Sequence, residues 1–474
     1  MSMADEQISK MKEAFTISVH ASIREALQVI DANHQGIVLV VSAAKQVIGT
    51  ATDGDVRRQL LSGLTLDDRI ERCTERNFVW CPIGEPRERL LKLLDHRVKL
   101  IPLLDEQHRL VDVVTRDHFP LPEESPIYAR ARAPVRISFG GGGSDLTQYF
   151  SEHGGAVINT TVSLYSHATL QMREDEQVRI YSHDLRQQLE APSLDQLLAE
   201  PPNSLPLLLA ILRLVRPEFG FELTVASDFS AGSGLGGSAV VTAAILGCFN
   251  QFRRDQWDAH ELAEMAFQAE RLYLKVAGGW QDQYATVFGG FNFIEFRPEQ
   301  NLVHPLRVHP DVLIELEESL ILCDTGIQHD SGAIHQDQRQ QLEREEVQQR
   351  LRENVELTYR MRDHLLRGRL YEFGKALHHA WELKRQFSSK ISNSHLDQLY
   401  ELARQHGAVG GKILGAGSGG FFLFYTEPFR KYELAQALET VGLQLRPFRF
   451  DQEGLRAWKV RESHHNFLQE SSCN

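Results

Sequence analysis

Four glycines crowd the stretch "ASDFSAGSGLGGSAVVTAAIL" (226–246): Gly232, Gly234, Gly236 and Gly237, ahead of a run with helical character. Glycine lets an anion approach the backbone closely, and the free N–H groups and positive dipole end of a helix N-terminus attract one. The implied chemistry is phosphate binding by Gly232, Ser233, Gly234, Leu235, Gly236, Gly237 and Ser238. Gly232-x-Gly234-x-x-Gly237 also spells the dinucleotide fingerprint, after an expected strand at 221–228. That fold needs a second buried strand ending in an acid about 20 residues on. Here "NQFRRDQWDAHELAEMAF" comes next, polar and then helical, so the strand is missing. No Gly-Lys-Ser/Thr occurs, which excludes a Walker A loop.

Two further glycine-rich runs lie far away, "RAPVRISFGGGGSDL" (132–146) and "KILGAGSGGFFLF" (412–424). With "SGLGGSA" (233–239) they resemble the three ordered motifs of the GHMP kinases, over about residues 129–450. These runs, with "HGGAVINTTV" (153–162) and "GGWQDQYATVFGGFNFIEF" (278–296), are similar to the D-glycero-D-manno-heptose 7-phosphate kinase branch. The resemblance implies ATP and Mg²⁺, and transfer of a phosphoryl group to the anomeric hydroxyl of a sugar phosphate. A free-sugar kinase of the fucose type, or a catalytically silent binding protein, are the alternatives.

The resemblance also implies roles. Ser238 takes the position of a magnesium-binding serine, and Gly237 stands where many members have another serine. Glu270 takes that of the second magnesium ligand; its alternative is a solvated helix position beside Arg271. Asp282 would orient or deprotonate the acceptor hydroxyl, and Arg136 would pair with it; an N-cap role also suits Asp282. Asp145 would bind a substrate hydroxyl, or cap the helix "SDLTQYFSEH". Gly142, Gly143 and the loop 415–420, with Gly417 and Ser418, would close on the substrate. Lys384 and Arg385 are candidates for the acceptor's own phosphate, or a solvated face.

The elements that must position these groups form a long α/β chain of alternating strands and helices, with an expected two-lobed kinase fold split into 132–330 and 331–474. Residues 343–366 carry an apolar stripe (Leu342, Val347, Leu351, Val355, Leu357, Met361, Leu365) on a charged segment, which predicts an amphipathic helix. The proline-rich stretch 120–134 reads as a linker, with 121–131 as its body.

The first ~120 residues differ. A helix at 22–32 capped by Ser22, strands at 36–41 and 46–51 and a helix at 53–63 are followed by a helix at 85–95 and strands at 99–105 and 109–115. This is an internal repeat, so the fold class expected for the chain is α/β and α+β. The repeat resembles a pair of CBS domains over 15–120. In "VIGTATDGDVRR", Thr52 and Asp55 take positions that contact an adenine nucleotide in that family. The second copy has Asp112 where glycine is usual, and Thr115 and Asp117 lie one residue too close. The pair is expected to be a nucleotide sensor or a packing and dimerisation module.

Composition agrees with a globular protein: 474 residues, 42% hydrophobic, 24% charged. The net charge of -13 argues against nucleic acid as the main partner. No apolar stretch is long enough for a membrane span, and "MSMADEQISKMKEAF" lacks a signal-peptide core. Five scattered cysteines suggest reduced thiols and a cytoplasmic location. The adjacent pairs His378–His379 and His464–His465 do not share a helix face, and no Cys-x-x-Cys or His-Glu-x-x-His occurs.

Overall fold

The computed structural model describes residues 12, 14–94, 98–119, 127–199, 205–230, 232–327 and 331–461. His464–His465 and Cys473 lie outside them. The chain divides into two compact units, Met1–Ser125 and Pro126–Asn474.

The first unit repeats one pattern twice. Strand Thr16–Ser18 runs parallel to Ile37–Val41, which pairs antiparallel with Val47–Thr52. Cys81–Pro82, Leu100–Leu104 and Leu110–Thr115 do the same, with a register shift at the equivalent place. The copies share a small core of Leu39, Val47, Leu100, Leu104 and Val113. Helix Ile23–Asn33 starts at Ser22 with a capping box to Glu25. Helix Asp53–Leu61 starts at Thr52, whose hydroxyl accepts from the Asp55 N–H while Asp55 accepts from the Thr52 N–H. The "T-x-x-D" pattern therefore has a local cause: it is a capping box. In the second copy the described residues 116–119 after the last strand form no helix.

The second unit is built on two sheets. In the nine-stranded one, the long strand Gly155–Met172 pairs with Ile127–Gly140, Phe221–Ser227 and Phe291–Phe296. Strand Ile127–Gly140 corrects the linker expected over 121–131, because residues 127–131 are its first rungs. Ala129, Ala131 and Ala133 are buried while Arg130 is exposed. Alternating alanine and arginine is a strand pattern with one small apolar face, and it reads as polar by composition. Strand Arg456–Arg461 returns from the far end of the chain to pair with residues 127–132.

The four-stranded sheet has the order Ala408–Ile413, Phe421–Thr426, Leu320–Asp324, Gln444–Leu445. The expected lobe boundary at 330/331 moves accordingly. Leu320–Asp324 already belongs to the second sheet, whereas Phe450–Asp451 and Arg456–Arg461 rejoin the first.

Three helices of this unit pack against the strands that carry the candidate site. Gly237–Asn250 is buried on nearly every side and packs on the first sheet. Glu345–Leu366 is the expected amphipathic helix and buries Val347, Leu351, Leu357, Met361 and Leu365. Leu370–Lys384 lies against strand Ala408–Ile413 so closely that a Cβ at Gly410 would sit 2.0 Å from the Gly374 carbonyl oxygen. No helix among the described residues is long and apolar enough to cross a membrane.

Candidate active site

The glycine loop reaches its helix through left-handed backbone at Gly232, Gly234 and Gly236 (φ 74°, 78° and 78°), a region costly for residues with a Cβ. Gly236 is the N-cap of Gly237–Asn250 and offers no side-chain cap, so the first N–H groups of the helix are left for a ligand. A Cβ at Gly237 would lie 2.8 Å from the Phe229 ring, so that aromatic fills the room a serine side chain would need.

Arg136, buried at mid-strand, crosses to Asp282. Its Nε donates to Oδ1 at 2.7 Å and Nη2 to Oδ2 at 2.9 Å, while Nη1 donates to the Gly234 carbonyl at 2.8 Å. One guanidinium thus fixes both the carboxylate and the glycine loop. Burial alone would raise the Asp282 carboxyl, but Arg136, with Arg271 and His335 nearby, holds it below the usual carboxylate range. Asp282 is not an N-cap: it lies inside helix Gln281–Phe288, whose N-cap is Trp280.

Glu270 sits in a π-helical turn, Ala269–Tyr273, and is 1% exposed, which excludes a solvated position. Its carboxylate accepts from the Gln283 amide, and the nearby Ser238 hydroxyl favours its ionised form against the effect of burial. Burial raises its pKa. A buried carboxylate beside a hydroxyl is a donor set that suits a hard cation such as Mg²⁺.

Asp145 does not cap Thr147–His153 either; Leu146 is at that N-cap. Its carboxylate instead accepts from the Gly143 N–H at 3.0 Å and the Gln281 N–H at 3.3 Å. Burial and the neighbouring Asp282 raise it. The site has two connected parts. A polar pocket is lined by Arg136, Asp145, Asp282, Lys384 and Lys412, with Gly142 and Gly143. A larger cleft beside it is walled by Leu205, Leu208, Val225, Phe229 and Val241 and edged by the glycine loop. Arg136, Arg271, Asp282 and His335 line both.

The GHMP kinases N terminal domain family matches residues 206–290, and the GHMP kinases C terminal family matches 361–442. The D-glycero-alpha-D-manno-heptose 7-phosphate kinase of Campylobacter jejuni is 33% identical over 337 residues, covering 70% of this chain and 99% of that protein. The chain is a GHMP kinase. It is a sugar kinase, a phosphotransferase with an alcohol group as acceptor, and the CBS domain family matches its residues 6–62 and 70–119. The crystal structure of a D-glycero-D-manno-heptose 1-phosphate kinase from Bacteroides thetaiotaomicron superposes with a TM-score of 0.59 at 29% identity, covering 70% of this chain and all of that one. The L-fucokinase/L-fucose-1-P guanylyltransferase of Bacteroides fragilis is 26% identical over 320 residues, 61% of this chain and 34% of that protein.

Within this GHMP kinase the residues singled out in the sequence divide into groups. Arg136, Gly142, Gly143, Asp145, Asp282 and Lys384 meet in the polar pocket. Gly232, Ser233, Gly234, Gly236, Gly237 and Ser238 line the cleft. Leu235 is buried in the core and contributes its carbonyl to the Arg136 N–H. Of the loop 415–420, Gly415 and Ala416 reach the cleft, whereas Gly417 and Ser418 turn onto Ile391. Arg385 does not join the site; it pairs with Glu382 at 3.4 Å and Asp397 at 3.6 Å. It comes after Lys384 at the end of the helix, where successive side chains diverge by about 100°.

Sequence reasoning missed the apolar wall of the kinase's cleft, Arg271, His335 and Lys412. Burial, with Arg271 beside it, pushes the His335 imidazole down to about 4, so it is neutral at pH 7. Lys412 had a signal: it is the one charged residue in the run 407–424.

Proposed function

We propose that this kinase transfers the γ-phosphoryl group of ATP to the anomeric hydroxyl of a sugar phosphate, D-glycero-D-manno-heptose 7-phosphate, giving the 1,7-bisphosphate. The observation that carries the reading is the Arg136–Asp282 pair at the junction of the polar pocket and the apolar-walled cleft. The C. jejuni relative's name supports the choice of sugar.

In this reading the apolar wall takes the adenine, and the N–H groups at the start of Gly237–Asn250 hold the phosphates. Glu270 and Ser238 hold Mg²⁺, which neutralises phosphate charge when bound. Asp145 accepts a sugar hydroxyl. Asp282, kept ionised by Arg136, orients the acceptor hydroxyl and takes its proton as the new O–P bond forms and the bond to ADP breaks. Arg271 faces both compartments and adds positive charge where the phosphoryl group crosses.

The test is ADP release from MgATP with heptose 7-phosphate, mannose 6-phosphate, fucose and galactose as acceptors, and ³¹P NMR of the product. Turnover with heptose 7-phosphate and a new anomeric phosphate signal are expected. Turnover confined to the unphosphorylated sugars would overturn the choice of acceptor.

A further inference from the structure

Lys384 and Lys412 are buried, 6% and 3% exposed, and neither is in an ion pair among the described residues. Lysine is almost never fully buried without a partner. The Lys384 ammonium donates to the Gly415 carbonyl, and that of Lys412 to the Phe139 carbonyl at 3.2 Å. Each has three donors, so two on each are left. Next to Phe139, the Ser138 hydroxyl is buried and has no hydrogen-bond partner; the same holds for the Gln281 side-chain oxygen. All four side chains line the polar pocket. Its lining carries four cationic side chains (Arg136, Arg271, Lys384, Lys412) against two carboxylates, Asp145 and Asp282. A dianion would balance that excess and accept the spare donors. A neutral sugar would offer the spare donors of the two lysines no anionic acceptor.

We propose that Lys384, Lys412 and Ser138 form the subsite for a phosphate monoester carried by the acceptor, with Asp145 and the Gln281 oxygen reading its hydroxyls. The proposal rests on the sugar-kinase reading above and adds which groups select a phosphorylated acceptor over a free one. The scaffold fits it. Lys384 ends a helix and Lys412 lies on the strand packed against that helix, which approaches it closely at Gly374 and Gly410.

Binding should also move protons. Burial, with Arg136 nearby, brings Lys384 down to about 8, and burial with Lys384 and Arg136 takes Lys412 well below its ordinary value. Asp145 and Asp282 oppose the shift of Lys384, and Asp145 that of Lys412; Arg271 and His335 are the other titratable groups of the lining. An arriving dianion raises both lysines, so protons are taken up when it binds at pH near 8.

The experiment compares heptose 7-phosphate with the unphosphorylated heptose as acceptors, in wild type, Lys384→Met, Lys412→Met and Ser138→Ala. Stabilisation by ATP in a melting assay shows which variants are folded, and Ser138→Ala and Lys384→Met carry the test if Lys412→Met is not. Loss of either lysine should raise KM for the phosphorylated acceptor by ~30-fold or more, with KM for ATP little changed. The preference for the phosphorylated acceptor should fall by the same factor. Calorimetry of heptose 7-phosphate binding at pH 8 in buffers of different ionisation enthalpy should show net proton uptake, reduced in Lys384→Met. If wild type turns over no phosphorylated sugar, the functional reading fails. If it does, and the lysine variants keep the wild-type preference or lose ATP affinity instead, the subsite alone is overturned.

Discussion

Arg136 and Asp282, 146 residues apart in the chain, share two hydrogen bonds of 2.7 and 2.9 Å, and the same guanidinium holds the Gly234 carbonyl. The carboxylate and the glycine loop are thereby registered by one side chain.

Asp282→Asn should lower turnover by about 100-fold or more while leaving ATP affinity nearly intact, measured by steady-state kinetics and nucleotide titration. A variant that keeps most of its turnover removes Asp282 from the chemistry.

The pair also predicts a pH effect. Arg136 keeps the Asp282 carboxyl below its ordinary value against the opposing effect of burial. Without it burial dominates and the carboxyl rises, so a base at Asp282 would be protonated at higher pH. In Arg136→Met the acid limb of the kcat profile should therefore move to higher pH, with residual activity greatest on the alkaline side. An unmoved limb would mean that another group sets it.

Ser238→Ala and Glu270→Gln should each raise the magnesium concentration needed for half-maximal rate, and the double variant should lose less than the sum of the two. Additive losses in a magnesium titration would assign them to separate roles.

A methyl group at Gly279 would fall 1.8 Å from an Asp145 carboxylate oxygen. Gly279→Ala should displace Asp145, raise acceptor KM and cost about 1–3 kcal/mol of stability, with nucleotide affinity little changed. Unchanged acceptor kinetics in that variant would show that Asp145 does not touch the sugar.

In the CBS pair, Asp55→Ala should destabilise the unit by about 1 kcal/mol through loss of the cap. Calorimetry of AMP, ADP and ATP on the full chain separates this from ligand binding. A nucleotide site at the first copy predicts one CBS-bound nucleotide, absent in the variant; unaltered binding leaves Thr52 and Asp55 as a cap only.

The glycine loops were legible in the sequence because their constraint is local: left-handed φ at Gly232, Gly234 and Gly236 is written into residue type. The amphipathic helix was legible because its stripe repeats. Lys412 carried only the signal of a lone charge in its run, and Ser138 and His335 carried none, since their importance comes from being buried together by elements far apart in the chain. Arg385 was misjudged for a related reason: adjacency to Lys384 in sequence says nothing about which side of the helix end faces the pocket. Asp145 and Asp282 each sit near a helix start, where capping is the usual explanation, yet their carboxylates are held by other partners. The lobe boundary failed because strand Arg456–Arg461 crosses back to the first sheet, a connection no local pattern announces.

That returning strand has a consequence for how such a chain can be assembled. Residues 456–461 zip onto residues 127–132, so the first and last described strands of the kinase unit lie side by side in one sheet. A fold whose ends meet this way can accept a separate module ahead of its first strand without reopening any of its own hydrogen bonds. The seam thus closes the kinase unit through its own backbone hydrogen bonds, whatever sequence precedes residue 127.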